Sequence, residues 1–512
     1  MANKRHVQTL CIMQSMAADI ISRCQVRVET KAITTERLRH VKHHTLKNLT
    51  KEKNHIRSVQ TMKKHEQFHT HAKPPKKSYT EFTAEMKDTH TILCPDIFPI
   101  HMHLLQEVFK MYGYHVRVLK DDGKKVIDTG LKYIHNDMCY PAICAVGQML
   151  YALTQTDIDL DHTALIYFQT GGGCRASNYI WLLRKALHNL HMDQVPVISI
   201  SFGGLEKHSG FHLTPPMLFK GLMSVVYGDM LMLLKNQVRP YENNPGDAQR
   251  CVDKWTKNLT EQFRHNRGLV GKAVKKNLAQ IVKDFHDIPR TVTPKVKVGI
   301  VGEIYVKYSP LGNNGLEAYL ESQDCEYMVP GVLGFVQYCF ANMETDYQYY
   351  GGKKLYLHIG HLAEAGARLL EKYMLDALEP YPDFTAPKPF SKTKEMAQRV
   401  LDRGVKMGEG WLLPAEMGEL IESGYENIVC AQPFGCLPNH IVGKGVVRTL
   451  KTLFPNSNIC PVDYDAGASK VNQENRIKLM LSVAREQLEQ SIQSDTDTSN
   501  NVPPTPPIEH SP

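Results

Sequence analysis

The sequence predicts an α/β protein in which two Rossmann-like domains, each built around a parallel sheet, are joined by a helical connector. From Thr91 onwards, short β-branched and apolar runs alternate with amphipathic stretches, a pattern that is typical of α/β units. The alternation stops after Pro215, where the spacing becomes helical, and it starts again after Pro294. With 512 residues and a hydrophobic content of 42%, the chain is too long for one compact core and is expected to build two or three.

The alternation assigns individual elements to each part of the chain. In the first domain, residues 79–214, we predict strands at 91–94, 115–119, 163–168 and 195–200 and helices at 101–112, 141–153 and 176–190. The connector, residues 215–293, has helical spacing only. In the second domain, residues 294–490, we predict strands at 296–301, 427–431 and 458–462 and helices at 316–322, at 445–453, at 473–490 and in a run through 332–401.

The two ends of the chain differ in composition from the rest. Residues 1–78 contain 17 Lys and Arg against 5 Asp and Glu, together with eight His, whereas the remaining residues contain 44 Lys and Arg against 48 Asp and Glu. Because this basic segment lacks aromatic interleaving and any nucleic-acid-binding motif, we interpret it as a linker or a helical lead-in, and we expect no binding to nucleic acid. Residues 491–512 are polar and then proline-rich, so we expect a disordered tail.

The apolar segments are too short to place the protein in a membrane. Neither a signal-peptide core nor a span of about 20 apolar residues is expected from the sequence, which predicts a cytoplasmic protein. Cysteines are then expected to stay reduced. We interpret eight of the twelve as small buried hydrophobic residues, namely Cys11, Cys24, Cys94, Cys144, Cys251, Cys325, Cys339 and Cys460.

Three other cysteines lie in turns that contain glycine or proline, next to predicted strands and helices. These are Cys139 before Pro141, Cys174 after a triple glycine, and Cys436 after Gly435. In open parallel sheets, ligands bind beyond the carboxyl ends of the strands, where helix N-termini favour a thiolate. Two of these cysteines belong to the first domain and one to the second, so a shared ligand would lie in the interdomain cleft.

The residues alone leave the kind of site open. The triple glycine at 171–173 is compatible with a phosphate-binding turn, a tight loop or a hinge, and it matches neither GxGxxG nor a Walker A motif. The three cysteines could be core thiols or nucleophiles, or they could hold zinc or iron, since no local CxxC pair is present.

Further segments, in order along the chain, extend the pattern around the three cysteines. They are Gly228-Asp229, Arg239-Pro240-Tyr241-Glu242, Val301-Gly302-Glu303-Ile304 with Lys307 and Asn313-Asn314, Gly408-Glu409-Gly410-Trp411, Asp463-Tyr464-Asp465 and Val471-Asn472-Gln473-Glu474-Asn475-Arg476. Together with the cysteine turns, these segments resemble the 2-hydroxyacyl-CoA dehydratase family, and in particular the dehydratase-like half of long proteins fused to an activase. The resemblance covers residues from about Phe82 to Leu481.

The resemblance implies a cofactor and a reaction. In that family three cysteines hold a [4Fe-4S] cluster with one open iron, which maps onto Cys139, Cys174 and Cys436. Cys430, which precedes Cys436 on a predicted strand, is a reserve ligand. Relatives with a double-cubane cluster use more than three cysteines, so involvement of Cys430, Cys144 or Cys94 would indicate that type. The implied chemistry is the addition of one electron to an acyl-CoA thioester, which gives a ketyl that expels the 2-hydroxyl group. The enzyme would therefore be a lyase or a low-potential reductase.

The resemblance also implies partners. Electrons would come from a separate protein that couples ATP hydrolysis to electron transfer, since this chain shows no activase half. The family precedent of two related subunits favours a homodimer or heterodimer. The sequence is also compatible with two other functions: an electron-transfer or cluster-carrying protein without its own reaction, and a zinc-stabilised binding protein.

Five residues near the predicted strand ends are candidates for proton transfer or cofactor contacts. Glu303, Lys307 and His440 could face the cleft and act as acid or base. For Glu303 and Lys307, a helix cap or a structural ion pair is an equal alternative. Arg175 and Ser177, beside Cys174, could contact cluster sulfides or substrate, or they could cap the helix that begins there.

Overall fold

The computed structural model describes residues 79–135, 137–155, 157–170, 173–201, 206 and 209–500. The expectations for the basic segment 1–78, for Gly171 and Gly172 and for the end of the tail at 501–512 lie outside these residues. In the described part, two four-stranded sheets are present, and every strand pair in them is parallel. The predicted α/β class is therefore confirmed.

The first sheet has the strand order β2-β1-β3-β4. Its strands are β1 (Thr91–Pro95), β2 (His115–Leu119), β3 (Thr163–Phe168) and β4 (Val197–Ile200). The helices in this part are α1 (Met86–Thr89), α2 (Pro99–Met111), α3 (Lys124–Tyr133), α4 (Tyr140–Gln155) and α5 (Tyr179–Asn189). The central strands are buried on both faces because helices cover the sheet, so they read as continuous apolar runs.

Three helices occupy the segment assigned to the connector: α6 (Pro215–Val238), α7 (Asp247–Arg264) and α8 (Gly271–His286). Contrary to the expectation that no segment is long enough to span a membrane, α6 is long and apolar enough to do so. Its most apolar window is 72% buried inside the protein, which is usual for a core helix. It is the one helix with this property among the described residues.

The second sheet has the strand order β6-β5-β7-β8. Its strands are β5 (Val296–Gly302), β6 (Cys325–Met328), β7 (Asn427–Pro433) and β8 (Asn458–Tyr464). The helices are α9 (Ile304–Tyr308), α10 (Pro310–Asn313), α11 (Leu316–Ser322), α12 (Val332–Tyr349), α13 (Lys354–Leu378), α14 (Phe390–Val400), α15 (Leu412–Glu422), α16 (Leu437–Asn439), α17 (Val447–Leu453) and α18 (Lys470–Asn500). The last helix continues beyond Gln490, into the segment assigned to the tail.

Both sheets place their first and third strands side by side at the centre. In such an order the chain leaves the two central strands towards opposite edges of the sheet. This opens a crevice at the carboxyl ends of β1 and β3 in the first sheet, and of β5 and β7 in the second. The two sheets also share their core, since one apolar cluster includes Leu165 and Tyr167 of the first sheet with Val298 and Val429 of the second. The strand-end loops of both halves therefore belong to one packed body.

One strand was missed by the sequence analysis. The edge strand β6 contains Glu326, a charged residue that argues against a buried strand. In the fold, Glu326 is 5% exposed and accepts hydrogen bonds from the hydroxyls of Tyr241 and Tyr425, at 2.7 and 2.5 Å. These partners are distant in sequence, so the pattern around β6 carries no sign of them.

Candidate functional site

The three cysteines of the predicted ligand set lie at the carboxyl edges of the sheets. Cys174 follows β3, Cys436 follows β7, and Cys139 directly precedes α4, whose first residue is Tyr140. Because β3 and β7 are the strands next to the two crevices, their loops lie where parallel sheets bind ligands. We refer to these three residues as the thiol site.

Direct contacts join the loops that carry the thiol site. The Tyr140 N–H donates to the carbonyl of Phe434 at 3.1 Å. Gly435 has a φ of +76°, and a Cβ added there would lie 3.2 Å from the Cα of Cys139. A side chain at position 435 would thus be strained and would press on the neighbouring loop, so glycine allows Cys139 and Cys436 to approach each other.

The loop of Cys174 is held to the same region from a second direction. The Arg175 guanidinium donates to the carbonyl of Asp137, two residues before Cys139. A Cβ on Gly173 would lie 3.2 Å from the sulfur of Met407, and one on Gly408 would lie 3.1 Å from Pro438. The segment around Met407 and Gly408 therefore contacts both the Cys174 loop and the Cys436 loop.

Each thiol of the site has a hydrogen-bonding group close to its sulfur. The Tyr179 hydroxyl lies 2.7 Å from Cys139 Sγ, the Ala176 N–H lies 3.5 Å from Cys174 Sγ, and the Asn439 side-chain amide lies 3.6 Å from Cys436 Sγ. Donors of this kind stabilise a thiolate and adjust the potential of a metal that it binds.

Burial keeps these thiols protonated in the metal-free protein. It raises the pKa of Cys174 to about 11 and the pKa values of Cys139 and Cys436 as well. The negative charge of Glu303 raises all three pKa values further, which shows that this carboxyl lies within electrostatic range of each thiol. Metal binding would have to displace the thiol protons.

Glu303 and Glu409 form a carboxyl pair beside the thiol site. Glu303 Oε2 accepts from the Val306 N–H at 2.9 Å, and Glu409 Oε1 accepts from the Ile304 N–H at 3.0 Å. Burial raises the pKa of Glu303 to about 8, and the charge of Glu409 adds to this increase. The pKa of Glu409 is also raised by burial. Near neutral pH the pair therefore retains a proton, as expected when two close carboxyls cannot both ionise.

Lys307 lies one helical turn from Glu303 but makes a different contact. Its ammonium donates to both carboxylate oxygens of Glu416, at 3.0 and 3.1 Å, and the two side chains are 4% and 5% exposed. Both structural alternatives are thus present: Glu303 caps α9, and Lys307 forms a buried ion pair.

The other candidate residues occupy peripheral positions around the thiol site. Ser177 donates its hydroxyl to the carbonyl of Cys174 at 2.6 Å, so it stabilises the turn. Arg175 connects two loops, as described above. His440 is half-buried, and its backbone N–H donates to the Cys436 carbonyl at 3.2 Å.

The reserve ligand Cys430 has different neighbours from the thiol site. It is buried on β7, and its sulfur lies 3.5 Å from the side-chain amide of Gln432. Its pKa is raised to about 12 by burial, and the other charges that affect it belong to Cys460, Lys444 and Asp463. None of these charges is shared with the thiol site.

Three residues of the site were not predicted from the sequence: Glu409, Tyr179 and Asn439. For Glu409 a signal existed, because it lies between two glycines with positive φ, Gly408 at +63° and Gly410 at +46°. For Tyr179 and Asn439 the only signal is their position shortly after a candidate cysteine.

The donor set fits an iron–sulfur cluster by its chemistry. Among the described residues, no group of three or more His, Cys, Asp or Glu side chains is arranged to hold a single metal ion. A [4Fe-4S] cluster requires a different arrangement of ligands from a single ion. Each cysteine binds its own iron, so the thiolates lie around the cluster and do not meet at one point. Three thiols on neighbouring loops, each with a hydrogen-bonding group near its sulfur, are the type of ligand that such a cluster uses.

Comparison with known proteins adds no assignment. No protein family matches this sequence, and no curated protein matches it significantly.

Proposed function

We propose that this chain holds a [4Fe-4S] cluster at Cys139, Cys174 and Cys436, in a cleft between its two sheets, and uses it for one-electron dehydration or reduction of an acyl-CoA or a related small molecule. The observation that carries the proposal is the meeting of three cysteine loops, drawn from both sheets, beside a carboxyl pair of which Glu409 is buried and Glu303 is half-buried. Electrons would come from a separate ATP-dependent activator, in a cytoplasmic compartment where thiols remain reduced.

The cluster would supply an electron of low potential at a substrate carbonyl. The chain's own residues would control its surroundings. The donors from Tyr179, Ala176 and Asn439 would stabilise the three thiolates. Cys139 is buried, whereas Cys174 and Cys436 are half-buried, so the site would be shielded from water on the Cys139 side and open to a substrate at the other two thiols.

The carboxyl pair would handle the proton that accompanies electron transfer. Because burial holds the pKa of Glu303 near 8, this residue is an acid at neutral pH and can donate a proton to a leaving hydroxide. The Ile304 N–H and the Asn439 amide, which donate to the two oxygens of Glu409, would stabilise the negative charge of its carboxylate. Lys307 would act on this pair only through its positive charge, which lowers the pKa of both carboxyls.

Metal and sulfide analysis of anaerobically purified protein tests the proposal. We expect about four iron and four acid-labile sulfide per chain, with the visible absorption and EPR signals of a cubane. Zinc without acid-labile sulfide would refute both the cofactor and the reaction.

Cysteine variants test the ligand assignment. Replacing Cys139, Cys174 or Cys436 by Ser should remove the cluster, since the hydroxyl is a poor ligand for iron. Cys339→Ser and Cys251→Ser are matched controls and should retain full iron content. Cys251 is buried as expected, whereas Cys339 is exposed, so the prediction of a buried residue is wrong at this position. Equal loss of iron in all five variants would show that the assignment is wrong.

A further inference from the structure

An apolar stripe runs along the outer side of helix α13. It consists of Leu355, Ile359, Leu362, Gly366 and Leu369, whose spacing of four, three, four and three residues places them on one side of the helix. The four large side chains of the stripe are between 46% and 77% exposed, and Leu362 at the centre is the most exposed of them. The other side of α13 packs on α8 and α12, so the stripe is not part of the core.

Exposed apolar side chains are concentrated around this stripe. Of the 22 large apolar side chains that are exposed in the described part of the chain, eight lie between Tyr347 and Leu369. Together these eight expose on the order of 800 Å². The largest apolar patch on a typical monomer covers roughly 300–600 Å², whereas each partner in a standard protein interface contributes roughly 800 Å². The patch is therefore large enough for a stable protein complex.

The apolar stripe is complementary to a second copy of itself. Its spacing is that of one helix in a coiled coil. When two copies pair antiparallel, Leu355 of one copy lies opposite Gly366 of the other, and the two-fold axis repeats this contact. A Cβ on Gly366 would have no heavy atom within 4 Å, so space for a leucine side chain is open there. In the same pairing, Ile359 lies opposite Leu362.

The charges beside the stripe also favour a second copy over other partners. The flanking positions are Tyr356, His358, Ala363 and Ala365, and none of them is Lys, Arg, Asp or Glu. Coiled coils that select a different helix carry charges at these positions, which repel the identical helix. A helix that lies on a membrane surface is rich in Lys and Arg beside its apolar side. Two identical stripes can therefore meet here without a pair of like charges.

We propose that this protein forms a homodimer in which the apolar stripes of two α13 helices pack against each other antiparallel. The family resemblance implies a dimer without assigning its interface, and this proposal places the interface on α13. It is independent of the proposed function, because the dimer requires neither the cluster nor the activator and α13 contains no residue of the thiol site.

Sedimentation equilibrium of the full-length protein tests the dimer. We expect a mass of twice 58.1 kDa, with a dissociation constant that is micromolar or lower. Leu362→Glu places a charge at the centre of the stripe and should weaken association by at least about a hundredfold. Leu479→Glu is the matched control, because Leu479 is also an exposed leucine, 72% exposed, but lies on α18. This control should remain a dimer.

A mixing experiment tests the antiparallel pairing. Ile359→Lys should also be monomeric by itself, because it places a charge in the same interface. When it is mixed with Leu362→Glu in equal amounts, the introduced lysine lies opposite the introduced glutamate, and the mass should return to that of a dimer. Circular dichroism confirms that each variant is folded, and Leu362→Gln replaces the glutamate variant in the single-variant test if that one is not.

Several outcomes would overturn this inference. They are a monomeric wild type at roughly 50 μM, a dimer that persists in the folded Leu362→Glu or Leu362→Gln variant, equal dissociation of Leu479→Glu, and a mixture that stays monomeric. A monomeric wild type that sediments with phosphatidylcholine–phosphatidylglycerol vesicles, but not as Leu362→Glu, would assign the stripe to a membrane surface instead. Iron and sulfide content is measured separately, so failure here and failure of the proposed function are distinguishable.

Discussion

The buried ion pair between Lys307 and Glu416 makes a strong prediction about stability. Its two hydrogen bonds, at 3.0 and 3.1 Å, join side chains that are almost fully buried. Removing a charged group from water costs several kcal/mol, and the partner's charge offsets most of that cost. The loss of either partner therefore leaves an uncompensated charge in the core.

The expected magnitude follows from that imbalance. Lys307→Met and Glu416→Leu should each lower the free energy of unfolding by about 3 to 5 kcal/mol. The double variant Lys307→Met/Glu416→Leu should lie within about 1 kcal/mol of the wild type, because an apolar pair of similar volume needs no hydration. Urea unfolding at pH 7, followed by circular dichroism, gives all four free energies for a double-mutant cycle.

Two results would refute this reasoning. Single variants that cost less than about 1 kcal/mol would mean that the charges are solvated, as in a surface pair. A double variant as unstable as the sum of the singles would mean that the residues do not interact. The same double variant also separates roles: if it is folded and loaded with iron but inactive, Lys307 contributes to the reaction and not only to stability.

Three further predictions concern single residues. Burial raises the pKa of Glu419 from 4.5 to about 7, so the folded state binds this proton more tightly than the unfolded state. About 3 kcal/mol of stability should therefore be lost as the pH rises from 4.5 through 7. The urea midpoints at pH 5 and pH 8 should differ less in Glu419→Gln than in the wild type. Tyr179→Phe removes the donor 2.7 Å from Cys139 Sγ, so a redox titration followed by EPR should find a lower cluster midpoint potential at unchanged iron content. Gly302→Ala should destabilise the folded protein by at least about 2 kcal/mol, because φ is +146° and the new Cβ would lie 2.1 Å from the Ala431 carbonyl oxygen. The control Gly366→Ala lies in an open helical position and should raise the thermal midpoint slightly. Equal thermal midpoints in the two variants would contradict this prediction.

The parallel sheets could be predicted largely because their strands are local signals. Buried strands such as β3 and β5 are short apolar runs bounded by turns, and their predicted bounds match the fold within a few residues. β6 was not predicted because it contains the charged residue Glu326. In the fold, the hydroxyls of Tyr241 and Tyr425, which are distant in sequence, donate hydrogen bonds to Glu326 and allow it to be buried. The hydrophobic pattern of a short segment cannot indicate a hydrogen-bond partner that only the fold brings close.

The candidate site divides in the same way. The cysteines in strand-end turns can be recognised from the sequence, because glycine and proline mark those turns and each turn follows a predicted strand or precedes a predicted helix. The neighbours of these cysteines are known only from the fold: Glu409 lies beside Glu303, Tyr179 contacts Cys139, and Lys307 is paired with Glu416. The physical reason is that pKa values, ion pairs and hydrogen bonds depend on distances of a few ångströms between residues far apart in sequence, and packing alone sets those distances.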